Sequence, residues 1–324
     1  MTYNAHIGYT PDEPYLTYLR GQLADTVRLT VGDEVPDDAH ALVAGRPTRE
    51  QLTASEHLRL LLIPWAGLPP PTRALLPDFP NVVVHNLHHN AAATAEMAIT
   101  LLMACARQII SAHNRFVADG DWSYRYDKQY KTVVLSGKTA VILGYGEIGR
   151  RIGVVCRALG MDVIGVRRRE SGEPNEVSVG RLDAVLPRAN VLFIVVPGTE
   201  DSTALIGPDE FALLPDGAIL VNVGRAATVD EAALYNALES RKLHAAGMDV
   251  WYSYPDKDPE SYTNHRPSEQ PFWELPNMVM SPHRGGAFGN PEIEYARMDG
   301  MARAIHAAAK GEPVPHPVDV GRGY

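Results

Sequence analysis

Short apolar runs alternate with segments of helical period along almost the whole chain, and this alternation constrains the fold more than any other feature. It is typical of parallel sheets with helices on both faces, because parallel strands need a crossover connection that is usually a helix. The runs fall into two series, so we predict an α/β protein with two doubly wound parallel-sheet domains. The length of 324 residues agrees, since one hydrophobic core seldom organises so long a chain.

The first series contains five candidate strands and the second contains six. Those of the first are Ala5–Tyr9, Val27–Val31, Ala41–Ala44, Leu58–Ile63 and Val82–His85. Those of the second are Thr139–Leu143, Asp162–Val166, Val191–Val196, Ala218–Val223, Ala245–Val250 and Met278–Ser281. Between them, the Ala-rich segment Ala91–Phe116 predicts one long buried helix that joins the domains. A final helix from Pro291 to Lys310 is expected to pack back on the first domain, and Tyr254–Pro271 is expected to be a loop.

The composition argues against several classes of partner. A formal net charge of -9 disfavours nucleic acid and anionic membranes, which would repel such a surface. The amino terminus lacks a basic start and an apolar run, and Met97–Ala106 is too short to cross a bilayer, which takes about 20 residues. Cys105 and Cys156 lie in apolar helical patterns, which suits buried free thiols in a reducing compartment. We therefore expect a cytoplasmic protein.

A glycine-rich turn follows the strand sequence TAVIL and opens a helix pattern, RRIGVVCRALG. Its residues are Gly144, Tyr145, Gly146, Glu147, Ile148 and Gly149. In this context the first glycine permits the tight turn, the second lets the backbone approach a pyrophosphate, and the third allows close helix–strand packing. The helix amino terminus adds free N–H groups for the phosphates. These residues are predicted to bind a dinucleotide.

The cofactor is predicted to be NADP(H), with NAD(H) possible, because of the residues about 20 positions after the glycines. An NAD-binding domain usually has an acidic side chain there, which accepts hydrogen bonds from the ribose hydroxyls. This chain has Arg167, Arg168 and Arg169 instead. Arginine forks match a phosphate bidentately, so the run suits the 2′-phosphate of NADP. The alternative is a solvated run of charges on a loop.

Two further segments follow predicted strands of the second series. They are Asn222-Val223-Gly224-Arg225 and Ser281-Pro282-His283-Arg284-Gly285-Gly286. Open α/β sheets bind ligands at the carboxyl ends of their strands, so both segments are expected to line a binding cleft.

With these pieces placed, the chain resembles the D-isomer-specific 2-hydroxyacid dehydrogenases, a family that includes glyoxylate/hydroxypyruvate reductases and formate dehydrogenases. The segments that carry the resemblance extend over nearly the whole chain. They are ATAEMAITLLMACAR, LSGKTAVILGYGEIGRRIG, VVPGTEDSTALIG, ILVNVGRAATVDEAAL, GMDVW and SPHRGG. Several such motifs in order are far more specific than any one alone.

The resemblance implies a reaction and roles for particular residues. Arg225 matches the arginine that holds the substrate carboxylate and α-oxygen, and His283 matches the general acid/base. In reduction His283 would protonate the keto oxygen while the nicotinamide delivers hydride. Asp249 matches a residue near the nicotinamide end of the cofactor site. Further cofactor contacts are implied at Pro197, Thr199 and Val223.

The resemblance also implies a domain arrangement and a substrate loop. We expect a smaller, flavodoxin-like substrate domain over residues 1–104, completed by 291–324, and a larger Rossmann-type nucleotide-binding domain over 105–290. Substrate contacts are expected at Trp65, Ala66, Gly67, His88 and Asn90. A metal role for the adjacent His88 and His89 is disfavoured, because neighbouring side chains on a turn point apart and no third ligand is evident. A homodimer is the family expectation.

One departure from the family pattern concerns the partner of the catalytic histidine. Most members have a glutamate before the proline that follows the GMDVW segment, and formate dehydrogenases have glutamine, whereas this chain has Tyr254. A neutral phenol orients an imidazole but does not stabilise its cation as a carboxylate does, so we expect His283 to have a lower pKa than in the members that carry the glutamate. Glu260 or Glu269 in the following loop is an alternative partner, although a solvated position is the better expectation for both.

Three functions follow from these observations. The leading one is an NADP(H)-dependent reductase of a small 2-oxo acid. A formate- or phosphite-type dehydrogenase is the second, suggested by Asn90 and by the neutral residue after the DVW segment. The third is a non-catalytic dinucleotide-sensing protein of the corepressor type, which the retained Arg225 and His283 disfavour.

Overall fold

A computed structural model of the chain describes residues 2–126, 131–168, 172–256 and 259–323. The chain divides into two compact units, one of residues 1–90 with 287–324 and one of residues 91–286. We call them the first unit and the nucleotide unit, since the second contains the glycine-rich turn. Each is an α/β unit with one parallel sheet, so the predicted fold class is confirmed.

The first unit contains a five-stranded parallel sheet in the order β2-β1-β3-β4-β5. Its strands are β1 (Tyr3–Ile7), β2 (Val27–Val31), β3 (Ala41–Val43), β4 (Leu60–Ile63) and β5 (Val83–Asn86). Its helices are α1 (Glu13–Gln22), α2 (Arg49–Thr53), α3 (Pro70–Leu75) and, from the end of the chain, Pro291–Lys310. This strand order is that of flavodoxin-like sheets, as predicted.

Both faces of this sheet carry a hydrophobic core. Successive strand residues point to opposite faces, so Leu60 and Leu62 contribute to one core while Leu61 and Ile63 contribute to the other. The final helix contributes Met301 to the first of these cores. The prediction that it packs back on the first domain is therefore confirmed, and the sheet is doubly wound.

The nucleotide unit contains a seven-stranded parallel sheet in the order β12-β11-β10-β9-β6-β7-β8. Its strands are β6 (Thr139–Leu143), β7 (Asp162–Arg167), β8 (Glu176–Ser178), β9 (Val191–Ile194), β10 (Ala218–Asn222), β11 (Leu243–Met248) and β12 (Met278–Met280). Its helices are α4 (Ala91–Arg107), α5 (Ile109–Asp119), α6 (Glu147–Ala158), α7 (Leu182–Val185), α8 (Pro208–Leu213) and α9 (Glu231–Glu239); the final helix of the chain is α10. The order around β6 is that of a Rossmann sheet, which has its switch point beside the first strand.

The strand predictions are correct within two residues at each end, with one omission. Strand β8 has the sequence EVS and pairs with β7 at the edge of the sheet. Its three residues are half-buried and begin with a charged side chain, so the sequence has no apolar run there. A strand this short, with one apolar residue, leaves no strong pattern in the sequence.

The single long helix predicted from Ala91 to Phe116 is wrong in one respect. It breaks at Gln108, whose φ of 50° is left-handed, and the two halves, α4 and α5, meet at a bend of 62°. Within the described residues no single helix is long and apolar enough to cross a membrane, and α4 and α5 have that length and apolar character only together, across their bend.

The boundary expected at residue 104 also differs from the division of the structure, which falls at residue 90. Helix α4 packs on β10, β11 and α6, so it belongs with the nucleotide unit. Gly247 of β11 makes this possible, because a Cβ there would lie 2.8 Å from the Leu101 Cβ. The close approach of helix and strand is a tertiary feature that the apolar pattern of the helix does not reveal.

Candidate active site

The glycine-rich turn links β6 to α6 at the centre of the large sheet. Gly144 has a φ of 100°, and a Cβ there would lie 2.7 Å from the Val195 carbonyl carbon. A Cβ on Gly149 would lie 2.3 Å from the Gly144 oxygen. At Gly146, by contrast, a Cβ would meet nothing within 4 Å. The backbone is thus tightly packed on the protein side and open at the amino end of the helix, where Glu147 and Ile148 begin α6. This shape fits a dinucleotide pyrophosphate.

Tyr145 differs from its neighbours in the motif because its side chain packs into the interior of the protein. Its side chain is buried between Gly153 and Gly165, where an added Cβ would lie 2.6 Å and 2.4 Å from its atoms. Its N–H donates to the Val166 carbonyl, and its hydroxyl accepts from Arg157. The residue therefore packs the helix against β7, and these two polar groups are already hydrogen-bonded within the protein.

Two of the three arginines at the end of β7, Arg167 and Arg168, lie close to acidic side chains. Arg167 Nη1 lies 3.2 Å from the carboxylate of Glu176, and Arg150 of α6 lies 3.2 Å from its other oxygen. The Glu176 side chain is 3% exposed, whereas the two arginine side chains are 35% and 50% exposed. Arg168 lies 3.9 Å from the exposed Asp201. Arg169, the third residue of the predicted phosphate site, lies outside the described residues.

Two other predicted cofactor residues lie in the turn after β9. Ser202 donates a hydrogen bond to the Pro197 carbonyl, and the N–H of Thr199 donates to Ser202. Thr199 thereby caps the short helical turn Glu200–Ser202. Val223 is buried after β10, where its N–H donates to the Ile194 carbonyl.

The loop after β10 presents Arg225. Asn222 shapes this loop, because its side-chain amide donates to the Arg225 carbonyl while its Oδ1 accepts from the Gly224 N–H. A Cβ on Gly224 would lie 2.6 Å from the Val196 oxygen, so the chain passes close to the neighbouring loop. Arg225 itself is exposed, and its Nη1 donates to the Gly224 carbonyl.

The loop after β12 presents His283, and the buried Asp249 holds it. Asp249 Oδ1 accepts from Ser281 Oγ at 2.5 Å and from the Arg284 N–H at 2.8 Å. Its Oδ2 accepts from the Gly285 N–H at 2.7 Å. Asp249, predicted as a cofactor residue, thus has both carboxylate oxygens hydrogen-bonded to this loop. His283 is carried in the middle, with a φ of 55°.

Tyr254 lies beside His283 but does not hydrogen-bond to it through its hydroxyl. The two ring centroids are 5.5 Å apart with the planes tilted by 50°, and the phenol oxygen accepts from the Trp251 N–H. Partial burial lowers the pKa of His283; the Asp249 carboxylate opposes this shift, and the Arg225 charge adds to it. Burial also raises the pKa of Tyr254, so the phenol stays neutral. Glu260 and Glu269 are both exposed in the following loop.

In the first unit, the predicted substrate residues lie in the loops after β4 and β5. Trp65 is 38% exposed and its ring covers Gly45, where a Cβ would lie 1.8 Å from the indole. Ala66 and Gly67 follow it in the same loop and are half-buried. The Ala66 carbonyl accepts a 2.6 Å hydrogen bond from the Asn86 amide. Asn86 ends β5, so it connects the two loops.

The loop after β5 contains His88, His89 and Asn90, all half-buried. His88 Nε2 donates to Asn86 Oδ1 at 3.0 Å. His89 Nε2 accepts from Arg297 of α10, and burial, followed by the charge of Arg297, lowers the pKa of His89 to about 4. In the described part of the chain, no three His, Cys, Asp or Glu side chains are grouped so as to hold a metal ion.

Several residues that organise these loops were not predicted from the sequence. They are Asn86, Arg150 and Glu176, together with Asn222 and Ser281, which were placed in the predicted cleft segments but not as side chains that shape the loops. One feature of the sequence could have indicated Asn86 and Asn222: each is a polar residue at the end of an apolar strand. Glu176 had none, because it lies in β8, a strand that the sequence does not indicate, and its partners lie on α6 and β7.

Comparison with known proteins identifies relatives over the greater part of the chain. The D-3-phosphoglycerate dehydrogenase of Archaeoglobus fulgidus is 34% identical over 242 residues, which are 74% of this chain and 43% of that enzyme. The glyoxylate reductase of Aeropyrum pernix is 34% identical over 234 residues, which are 70% of this chain and 66% of that enzyme. The chain thus spans less than half of the first relative and about two thirds of the second.

A solved structure and a family description complete the comparison. The D-isomer specific 2-hydroxyacid dehydrogenase from Xanthobacter autotrophicus Py2, determined with NADPH and MES, superimposes with a TM-score of 0.78 at 23% identity and full coverage of both chains. That identity supports the shared fold only. Residues 99–285, more than half of the chain, match the family described as D-isomer specific 2-hydroxyacid dehydrogenase, NAD binding domain. The glycine-rich turn and the Arg225 and His283 loops all lie in this segment. The chain therefore belongs to the D-isomer-specific 2-hydroxyacid dehydrogenase family.

Proposed function

We propose that the chain is an NAD(P)-dependent oxidoreductase that transfers a hydride between nicotinamide and a small 2-oxo or 2-hydroxy acid, with NADPH preferred. The observation that carries this proposal is the placement of Arg225 and His283. They follow β10 and β12 of one parallel sheet, and the Arg225 charge acts on the His283 imidazole. Loops at the carboxyl ends of such strands bind ligands.

Arg225 and His283 have complementary tasks in this proposal. The Arg225 guanidinium is fixed on one side by the Gly224 carbonyl and is exposed, so its other N–H groups are available to a substrate carboxylate. His283 gives a proton to the keto oxygen in reduction and takes it back in oxidation. A bound nicotinamide supplies or accepts the hydride. Trp65, Ala66, Gly67, His88 and Asn90 are proposed substrate contacts.

The proposed substrate is a small 2-oxo acid such as glyoxylate or hydroxypyruvate. The relative named glyoxylate reductase supports this, and the relative named D-3-phosphoglycerate dehydrogenase makes a phosphorylated 2-oxo acid a necessary comparison. The test is a panel of 2-oxo acids assayed with NADPH and NADH, together with formate and phosphite as hydride donors to the oxidised cofactors.

Two variants accompany this panel. Arg225→Gln is expected to lower kcat/KM at least about a hundredfold, or about 2.7 kcal/mol. His283→Gln is expected to lower kcat by about a hundredfold or more, the usual contribution of a general acid. Turnover of formate or phosphite, but of no 2-oxo acid, would instead favour a formate- or phosphite-type dehydrogenase. No turnover despite tight NADPH binding would favour a dinucleotide sensor.

The proposed preference for NADPH rests on Arg167 in the place of the usual acidic residue. The buried Glu176 carboxylate holds Arg167 and Arg150 side by side, while both guanidinium groups stay partly exposed. Two such arginines suit a 2′-phosphate, with Arg168 and Arg169 as further candidates. The Xanthobacter protein, which shares the fold, was determined with NADPH, so NADPH is the first cofactor to assay.

Arg167→Asp tests the preference. The ratio of kcat/KM for NADPH over NADH is expected to fall tenfold or more, about 1.4 kcal/mol, because the phosphate loses a cation and meets a carboxylate. Arg188→Asp is the matched control: Arg188 is exposed in the turn before the amino end of β9, on the edge opposite the ligand-binding ends. A ratio that does not change in Arg167→Asp would contradict the proposal.

We further propose that the protein is a homodimer in the cytoplasm. Its proposed partner is a small carboxylic acid substrate, and we propose no nucleic-acid or membrane partner. The apolar residues exposed along α5 support the dimer. Two free, buried cysteines suit a reducing compartment, and burial raises the pKa of both thiols, that of Cys156 to about 12.

A further inference from the structure

The carboxyl-terminal tail of the first unit runs antiparallel beside β5, the edge strand of the small sheet. The Asn86 N–H donates to the His316 carbonyl, and the Val318 N–H donates to the Val84 carbonyl at 2.8 Å. Between them, His85 and Pro317 form an antiparallel bridge. Val318 is buried in the hydrophobic core on one face of the sheet. The tail is thus a structural part of the sheet edge.

Contacts outside this pairing fix both ends of the tail. His85 Nδ1 bonds to the Pro315 carbonyl at 2.9 Å. Beyond the paired stretch, Arg73 of α3 donates from Nε to the Val320 carbonyl and from a terminal nitrogen to the Gly321 carbonyl. The position of His316 along β5 is therefore determined by hydrogen bonds before and after it.

His316 presents its ring to the loop that follows β5. The ring centroids of His316 and His88 are 4.5 Å apart, with the planes tilted by 39°. His316 has a φ of 56°, a left-handed conformation that is uncommon for residues other than glycine, although asparagine, aspartate and histidine adopt it more often than the rest. Such conformations persist where surrounding contacts hold them, and they are concentrated at functional sites.

From His88 a chain of hydrogen bonds leads to the loop after β4. His88 Nε2 donates to Asn86 Oδ1, and the Asn86 amide donates to the Ala66 carbonyl. Asn86 is 4% exposed, so both of these bonds are shielded from water. His316 is therefore connected, through His88 and Asn86, to the peptide that joins Ala66 to Gly67.

We propose that His316 of the carboxyl-terminal tail is a positioning residue for the substrate, which holds His88 and, through Asn86, fixes the Ala66 backbone. The inference rests on the proposed function, in which the loops after β4 and β5 contact a 2-oxo acid. His316 acts through its ring contact with His88. The alternative is that the tail only closes the edge of the sheet.

The test compares three variants at the level of kinetics. His316→Asn removes the ring but tolerates the left-handed backbone, and His316→Phe keeps a ring in its place. His57→Asn is the matched control, because His57 belongs to another pair of neighbouring histidine rings in the same unit, with the His40 ring centroid at 5.9 Å. We expect His316→Asn to raise KM for the 2-oxo acid about tenfold, with kcat and the Kd for NADPH within about twofold. His316→Phe is expected to restore most of the KM.

Hydrogen exchange provides a readout that needs no substrate. In His316→Asn the amides of residues 65–67 and 86–90 should exchange faster than in the parent, while His316→Phe and His57→Asn should match the parent. Unchanged exchange in these loops overturns the inference, and so does a lowered Tm with an unchanged KM. If the parent turns over no 2-oxo acid, the proposed function fails, and hydrogen exchange alone decides whether His316 positions the two loops.

Discussion

His283 combines an unusual backbone conformation with a lowered pKa. Its φ of 55° is maintained by the bond from its N–H to the Ser281 carbonyl and by the three hydrogen bonds that Asp249 accepts from the same loop. The charged groups that act on the imidazole are Asp249, which favours the protonated form, and Arg225, which disfavours it. Because partial burial outweighs the effect of Asp249, the neutral ring prevails from a lower pH than for an ordinary histidine.

This pKa predicts the pH dependence of the proposed reaction. Reduction needs the protonated imidazole, so its kcat/KM should fall as pH rises, with a midpoint below the ordinary histidine value of about 6.5. In Tyr254→Glu a carboxylate replaces the neutral ring 5.5 Å from the imidazole and stabilises its cation. The midpoint of this limb should therefore move to higher pH by about one unit.

The control for this prediction is Tyr254→Gln, because glutamine has the size of glutamate but is neutral. Its midpoint should stay near that of the parent. If the glutamate variant shows the same midpoint as the parent, the missing carboxylate is not what sets the pKa of His283.

At the scale of elements, the turn between β6 and α6 contains one glycine that the fold requires and another whose proposed role is in cofactor binding. Gly149 serves the fold, because an added Cβ would lie 2.3 Å from a backbone oxygen. Gly146 faces open space at the start of α6, and we propose that its missing side chain serves the approach of the cofactor. The two glycines should therefore respond differently to the same substitution.

Gly146→Ala is expected to fold with a free energy of unfolding within about 1 kcal/mol of the parent, since the new methyl group meets no protein atom. The Kd values for NADPH and NADH should both rise about tenfold, because the methyl group occupies the path of the pyrophosphate. Gly149→Ala should instead lose about 1–3 kcal/mol of stability. Denaturant titration and fluorescence titration with each cofactor measure the two effects. Unchanged cofactor binding in Gly146→Ala would contradict the assigned phosphate site.

At the scale of the whole molecule, helix α5 presents an apolar surface to solvent. Its exposed residues are Ile109, Ile110, Phe116 and Val117, with Trp122 just after the helix. The rings of Phe116 and Trp122 meet edge to face at 5.2 Å. An exposed apolar patch of this kind is typical of an interaction surface, and a second copy of the chain is the occupant we propose.

Val117→Glu should therefore shift the protein from dimer to monomer at micromolar concentration, because a charge would be buried in the interface. Val154→Glu is the control, since Val154 is about equally exposed, at 65% against 69%, on another helix. Sedimentation velocity distinguishes the two species. A parent protein that is already monomeric under these conditions rules out the proposed dimer.

Prediction from the sequence succeeded where the determinants are local. The alternating apolar runs located the strands, and the spacing of the glycines located the turn before α6, because both patterns depend on neighbouring residues. Prediction was less complete where the sequence pattern is weak. The three-residue edge strand β8 has no apolar run, and the left-handed Gln108 interrupts a pattern that remains helical on both sides.

The pattern of amino acids is sufficient to predict two doubly wound sheets, their order along the chain, the family and the residue types available for chemistry. Which side chains act together depends on the folded structure. It joined Arg167 to Glu176, enclosed the carboxylate of Asp249 within the His283 loop and placed His316 beside His88. The physical reason is that strand and turn patterns repeat over a few residues, whereas hydrogen bonds and ion pairs depend on distances that folding sets between remote segments.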